Sequence, residues 1–237
     1  MLDLKKIFAV AIIATFLASI PLAFAENNAG LVKVVYELKV NGNNAKPPGT
    51  PGAKVEPSYV LIAKGLMTTP ANIYYQTNDE EDPDFATAIT ISIEEYEKYL
   101  GQDFFMSPEE GPTLIVGAQD YKNVFAFDSL SDNNIIAVTY AWITRGKTKL
   151  IVEFDVIFNT YYSWGNAGET SETTLGDTTV MDTWNIVTHE MGHCVGLGDL
   201  YKDYNKAQTM FGYATEGETY KRTLNTGDIA GLNALYP

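Results

Sequence analysis

Both histidines of this 237-residue chain fall within Thr188-His189-Glu190-Met191-Gly192-His193-Cys194-Val195-Gly196-Leu197. On a helix, residues four apart share one face, with Cβ atoms about 5–6 Å apart. From that face both imidazoles can reach one metal ion at about 2.0–2.1 Å, the distance at which histidine binds zinc. The helix expected to carry them starts near Asp182 and stops at Gly196 and Gly198. A chance match on a core helix explains the pattern poorly, because the chain keeps only two histidines and puts both here. Glu190, one step round from His189, can lean over the open coordination position and take a proton from the metal-bound water. A lone glutamate there could equally be a surface carboxylate or an ion-pair partner, and it is the flanking histidines that give it a catalytic reading.

Two protein ligands underhold a catalytic zinc, which uses three plus water, and no third His exists. The motif His-Glu-x-x-His, with Glu as general base, is that of zinc metallopeptidases. It continues as His193-x-x-Gly196-x-x-Asp199, and in this form the sequence resembles the metzincin clan of zinc endopeptidases, with Asp where most members have His. The resemblance implies that Gly196 ends the helix in a left-handed turn, so that Asp199 reaches the metal as third ligand. Two competitors stand beside it. Glu216 and Glu218 lie 23 and 25 residues after His193, roughly where thermolysin-like enzymes supply a Glu, but Gly212 to Gly217 does not look like the helix such a ligand needs. Asp203 lies nearer the spacing of Asp-ligated fungal peptidases, which lack the Gly196 pattern.

The resemblance covers residues 59–237. Thr209-Met210-Phe211-Gly212 is positioned to be the Met-containing turn that lies beneath the zinc in metzincins, with Met210 as its methionine. Leu224 to Leu232 resembles the final helix of matrixins, and Glu153 to Asn159 followed by Trp164 resembles the matrixin edge strand that pairs with substrate. Matrixins are therefore the nearest family, with the Asp ligand shared instead with snapalysin-like enzymes. The departures are as specific. No cysteine precedes His189, so the thiol latency of matrixins is absent, and no histidines remain for a structural zinc. The paired Asp of the family's last helix is Gly227-Asp228 here, and Tyr213 falls three residues after Met210, where astacins place a metal-approaching Tyr two after it. Packing beside the specificity pocket is the expected role of Tyr213. Cys194 points about 100° away from His193 on a helix and reads as a small buried hydrophobe.

Lys5 and Lys6 precede an apolar run from Ile7 to Ile20, followed by Pro21 and Ala23-Phe24-Ala25, the layout of a secretory signal cleaved before Glu26. The alternative is an uncleaved anchor, since Ile7 to Ala25 is long enough to just span a bilayer. Without residues 1–25 the chain holds 14 basic and 29 acidic residues, a charge of −15. That field repels phosphate backbones and excludes nucleic acid as a partner. A single Cys closes no intrachain disulfide. Residues 26–58 are read as an N-terminal extension with one strand, Val32 to Val40, and a linker from Asn41 to Pro57 carrying four prolines.

Phe85, Ile89, Ile93, Tyr96 and Leu100 mark an amphipathic helix closed by Gly101. The acidic cluster Asp79 to Asp84 before it could bind calcium, but such a run more often caps a helix and solvates a loop, and nothing else in the sequence supports calcium. Strands are expected at Thr113 to Ala118, Val124 to Phe127, Ile135 to Ile143 and Leu150 to Phe158, the last two forming an antiparallel hairpin. In the last, Val152, Phe154, Val156 and Phe158 face the core and Glu153, Asp155 and Asn159 the other side, which suits a sheet edge. Thr226 is read as the cap of a final helix with Ile229, Leu232 and Leu235 as its stripe.

The expected fold is α+β and metzincin-like: a twisted mixed sheet with two long helices, then a small C-terminal subdomain with the Met-turn and one helix. The resemblance implies a secreted, monomeric zinc endopeptidase in which a zinc-bound water, activated by Glu190, hydrolyses an extended polypeptide lying along the edge strand near Leu150 to Asn159. A non-catalytic secreted binding protein on the same scaffold is the alternative, opposed by the intact Glu190. A metal buffer is opposed by the single site.

Overall fold

The computed structural model describes residues 30–40, 58–76, 84–111, 114–168 and 174–237. The segment expected to be a signal, 1–25, the one expected to be a linker, 41–57, and all of the acidic cluster except Asp84 lie outside the described residues. Among the described residues no helix is long and apolar enough to cross a membrane.

Seven strands form one mixed sheet: β1 (Leu31–Val40), β2 (Tyr74–Gln76), β3 (Glu109–Glu110), β4 (Val124–Asp128), β5 (Ile135–Thr144), β6 (Ile151–Asn159) and β7 (Tyr213–Ala214). Their order across the sheet is β7-β1-β5-β6-β4-β2-β3. The β6, β4, β2 and β3 strands run parallel to their neighbours in that series, and β5 runs antiparallel to both β6 and β1. The hairpin expected from Thr144-Arg145-Gly146-Lys147 is present as the β5–β6 pair.

Three α-helices accompany the sheet among the described residues: α1 (Phe85–Leu100), α2 (Thr183–Val195) and α3 (Thr226–Leu235). The α1 stripe of Phe85, Ile89, Ile93 and Tyr96 is buried, and Phe85 packs on Phe127 of β4 and Phe158 of β6. Asp182 caps α2 by accepting from the Asn185 N–H at 2.9 Å, which satisfies one of the donors left open at a helix start. The α3 cap is Asn225 rather than Thr226, because the Asn225 side chain and Asp228 form a reciprocal capping box.

Two strand expectations are corrected. Residues 114–118 carry no strand. The Leu150–Asn159 strand is not a sheet edge, since β6 lies between β5 and β4. Phe154, Val156 and Phe158 face the core as expected, but a bulge opposite Trp142 and Ile143 puts Ile151 there in place of half-buried Val152, and the polar side faces backbone donors instead of solvent. Asp155 accepts from the N–H groups of Gly117 and Val124 at 2.6 and 3.1 Å, and Glu153 accepts from those of Asp120 and Tyr121. Burial, only partly opposed by those bonds, pushes the Asp155 carboxyl up to about 8. The free flank of β5 is covered by β1, which is thereby built into the central sheet.

Candidate metal centre

The site grows from α2 and the turn that ends it. Gly196 closes the helix at φ 109°, a left-handed conformation that costs a residue with Cβ but not glycine. The chain then doubles back between two clamps. Leu197–Gly198 pairs with Val60–Leu61, and Leu200 is bonded to the Met210 segment, its N–H donating to Met210 O at 2.8 Å and its carbonyl accepting from Gly212 N at 2.9 Å. Asp199 sits between the clamps and is turned inward, with a side chain 5 % exposed.

His189, His193 and Asp199 form a group whose donor atoms all lie within 4.8 Å of one another, and this group can hold a metal ion. Asp199 Oδ1 is 3.3 Å from His189 Nε2 and 3.4 Å from His193 Nε2. The other ring nitrogen of each histidine is already committed, His189 Nδ1 to Thr209 O at 2.7 Å and His193 Nδ1 to Leu197 O at 2.9 Å. A carbonyl only accepts, so each Nδ1 carries a proton, and it is each Nε2 that faces the site, able to bind a metal once it holds no proton of its own. His189 Nε2, His193 Nε2, Asp199 Oδ1 and Glu190 Oε1 are all buried without a hydrogen bond. Buried polar atoms are normally satisfied. Three of these, His189 Nε2, His193 Nε2 and Asp199 Oδ1, belong to the group that can hold a metal ion, and the Glu190 carboxyl is near enough to feel the charges of both imidazoles and of Asp199.

Glu190 is fully buried, and its Oε2 accepts from Thr139 Oγ1 of β5 at 2.5 Å. Burial raises its carboxyl above the usual range, against the pull of the two imidazoles and the Thr139 bond. Burial also works against a charged His193, but the Asp199 carboxylate more than offsets it and holds the imidazole up at about 9. The same imidazoles overcome the burial of Asp199 and keep it ionised well below the ordinary carboxylate range.

Beneath α2, the side chain of Met210 meets Gly192 so closely that a Cβ there would lie 2.1 Å from Met210 Sδ. Asp228 holds this turn by accepting from the N–H groups of Thr209 and Met210 at 2.7 and 3.2 Å. Of the competing carboxylates none joins the group that can hold a metal: Glu218 is engaged with Asn185, Tyr220 and Lys221, and Asp203 with Lys206. Cys194 is fully buried, and its thiol is pushed up by that burial. Tyr213 lies on β7, edge-on to Tyr201 and Phe211.

Three residues at the site escape sequence reasoning. Tyr201 donates its hydroxyl to Asp199 Oδ2 at 3.0 Å, leaving Oδ1 for a metal. Thr139 reaches Glu190 from a distant strand. Tyr36 of β1 stacks on His193, with ring centroids 4.6 Å apart and planes 19° from parallel. Only Tyr201 had a local signal, as an aromatic hydroxyl two residues after the proposed ligand. No protein-family model matches the chain, and no curated protein matches it.

Proposed function

We propose that the chain is a secreted zinc-dependent endopeptidase of metzincin type, with His189, His193 and Asp199 as ligands and Glu190 as general base. The observation that carries this reading is the set of three unpaired buried atoms, His189 Nε2, His193 Nε2 and Asp199 Oδ1, within 4.8 Å of one another, with the buried Glu190 carboxylate next to His189 on the same helix. Zinc bound there supplies a Lewis acid for the scissile carbonyl and an acidified water. Glu190 takes a proton from the attacking water through Oε1 while Thr139 holds Oε2. The water oxygen bonds to the carbonyl carbon, the C–N bond breaks, and Glu190 returns the proton to the leaving nitrogen. Tyr201 and the two carbonyl contacts at Nδ1 keep the ligands from rotating away.

A raised Glu190 carboxyl suits this work, because a base buried in an apolar site is a stronger proton acceptor once ionised. The signal-like segment 1–25 supports export, and the acidic surface supports a polypeptide partner over nucleic acid. Zinc per chain, measured together with casein hydrolysis, tests the reading. One chelatable zinc per chain, with proteolysis lost on chelation and regained on adding zinc back, is the expected result. A chain that binds no zinc at micromolar concentration overturns it.

A further inference from the structure

The β5 strand carries Thr139 to the Glu190 carboxylate, so whatever pairs with the free flank of β5 lies across the candidate site. That position is taken by β1. It is antiparallel to β5 from Leu31, opposite Thr144, to Lys39, opposite Ile135, and parallel to β7, where Lys39 and Val40 face Tyr213 and Ala214. Tyr36 lies opposite Thr139 and stacks on His193. Two residues on, Leu38 is wholly buried among the hydrophobic core. Glu37 and Lys39, between and beyond them, turn outward and pair with each other at 3.0 Å. Along the same stretch a cavity of about 460 Å³ lies between β1 and the metal loop, bounded on one side by Val35 and Tyr36 and on the other by Asp199 and Tyr201.

Strand addition to a sheet edge is a general way to bind an extended peptide: main-chain bonds hold it, and alternate side chains enter pockets. Without β1, the β5 flank would be a row of unpaired N–H and C=O groups ending at the site. We propose that β1 is a substrate surrogate lodged in the peptide groove. The groove between β5 and β7 takes an extended polypeptide with a branched aliphatic residue at the Leu38 position and an aromatic residue at the Tyr36 position, and other peptides enter only when β1 leaves. The proposal rests on the hydrolase reading for the word substrate, though not for the groove itself. The means of leaving is in the sequence, since β1 joins Ser58 through residues 41–57, with Pro47, Pro48, Pro51 and Pro57, and cutting there leaves it held by strand pairing, the burial of Leu38 and the stacking of Tyr36 alone, with no chain link to Ser58.

The test inserts a specific protease site into 41–57 of the full chain, so that the protein folds intact and is then cut. A fluorescent peptide with the sequence of residues 30–40 is added in excess to zinc-loaded protein carrying Glu190→Ala, which keeps the peptide whole. Cut protein is expected to exchange β1 for the probe, uncut protein to bind it about tenfold less or not at all, and a probe carrying Leu38→Asp to bind about tenfold more weakly than the parent. With Glu190 intact, cutting should raise casein turnover about tenfold or more. Failure of cut protein to exchange, or equal binding of the Leu38→Asp probe, overturns the proposal and leaves the hydrolase reading standing. Exchange without any hydrolysis by the Glu190 protein removes the hydrolase reading and leaves the groove.

Discussion

Thr139 Oγ1 and Glu190 Oε2 are 2.5 Å apart, joining a strand of the central sheet to the candidate base on α2. The bond favours the ionised carboxylate against burial, which pushes its pKa up. Thr139→Val is expected to lower kcat about tenfold with little change in KM, the loss expected of a charge-assisted hydrogen bond worth about 1.5 kcal/mol. Because the base must be ionised, the acidic limb of the pH–rate profile should move to higher pH while zinc content stays the same. An unshifted profile would remove Thr139 from its positioning role.

Asp199 separates this architecture from other His-Glu-x-x-His sites. Asp199→Ala should weaken zinc binding by about two orders of magnitude or more, since only His189 and His193 remain. Asp199→His should restore zinc better than Asp199→Asn, because imidazole is a good zinc ligand and a neutral amide a poor one. Asp203→Ala and Glu216→Ala should leave affinity near the parent value. Tyr201→Phe, which removes the contact at Oδ2, should cost about tenfold. Competition with a chromogenic chelator measures all six.

Metal binding should be strongly pH-dependent. In the metal-free protein His193 is raised to about 9 by Asp199 in spite of burial, so below that pH a metal must displace a proton. Apparent zinc affinity is therefore expected to rise by at least about tenfold per pH unit from 6 to 8 and to level off near 9. The sign follows from linkage: protons bind the metal-free state only, so lower pH favours it. Affinity flat between pH 6 and 8 would contradict the Asp199–His193 pairing.

Gly192 faces Met210 with no room for a side chain, and a Cβ there would also lie 2.7 Å from Tyr96 Oη, which is bonded to Thr188 O. Gly192→Ala gains helix propensity but forces the Met turn away from α2, at a net cost of about 2 kcal/mol. A lowered midpoint in urea, with m unchanged, checks this. A stabilised variant would show that Met210 yields freely.

The parts of the molecule that local spacing dictates were legible. Phe85, Ile89, Ile93 and Tyr96 sit at helical intervals and form the buried face of α1, and Gly196 ends α2 in the left-handed turn expected of it. His189 and His193 share one face because both lie on that one helix. Neighbours brought in by tertiary packing were not legible. Glu153 and Asp155 alternate with apolar residues as a solvated edge strand would, and no pattern within β6 reveals that backbone N–H groups of 117–124 arrive to satisfy them. Likewise Val32 to Val40 announces a strand without naming its partner. Its place between β5 and β7, with Tyr36 on His193, depends on pairing across more than a hundred residues.

With Glu190 proposed as a base and not a ligand, the most direct measurement is zinc per chain and casein hydrolysis, in parallel, for the parent protein and Glu190→Ala, each before and after cutting within 41–57. The expected result is one zinc per chain in every sample, with hydrolysis by the cut Glu190→Ala protein lower than that of the cut parent by about three orders of magnitude or more. Hydrolysis retained within about tenfold, or zinc lost along with Glu190, would contradict the assignment.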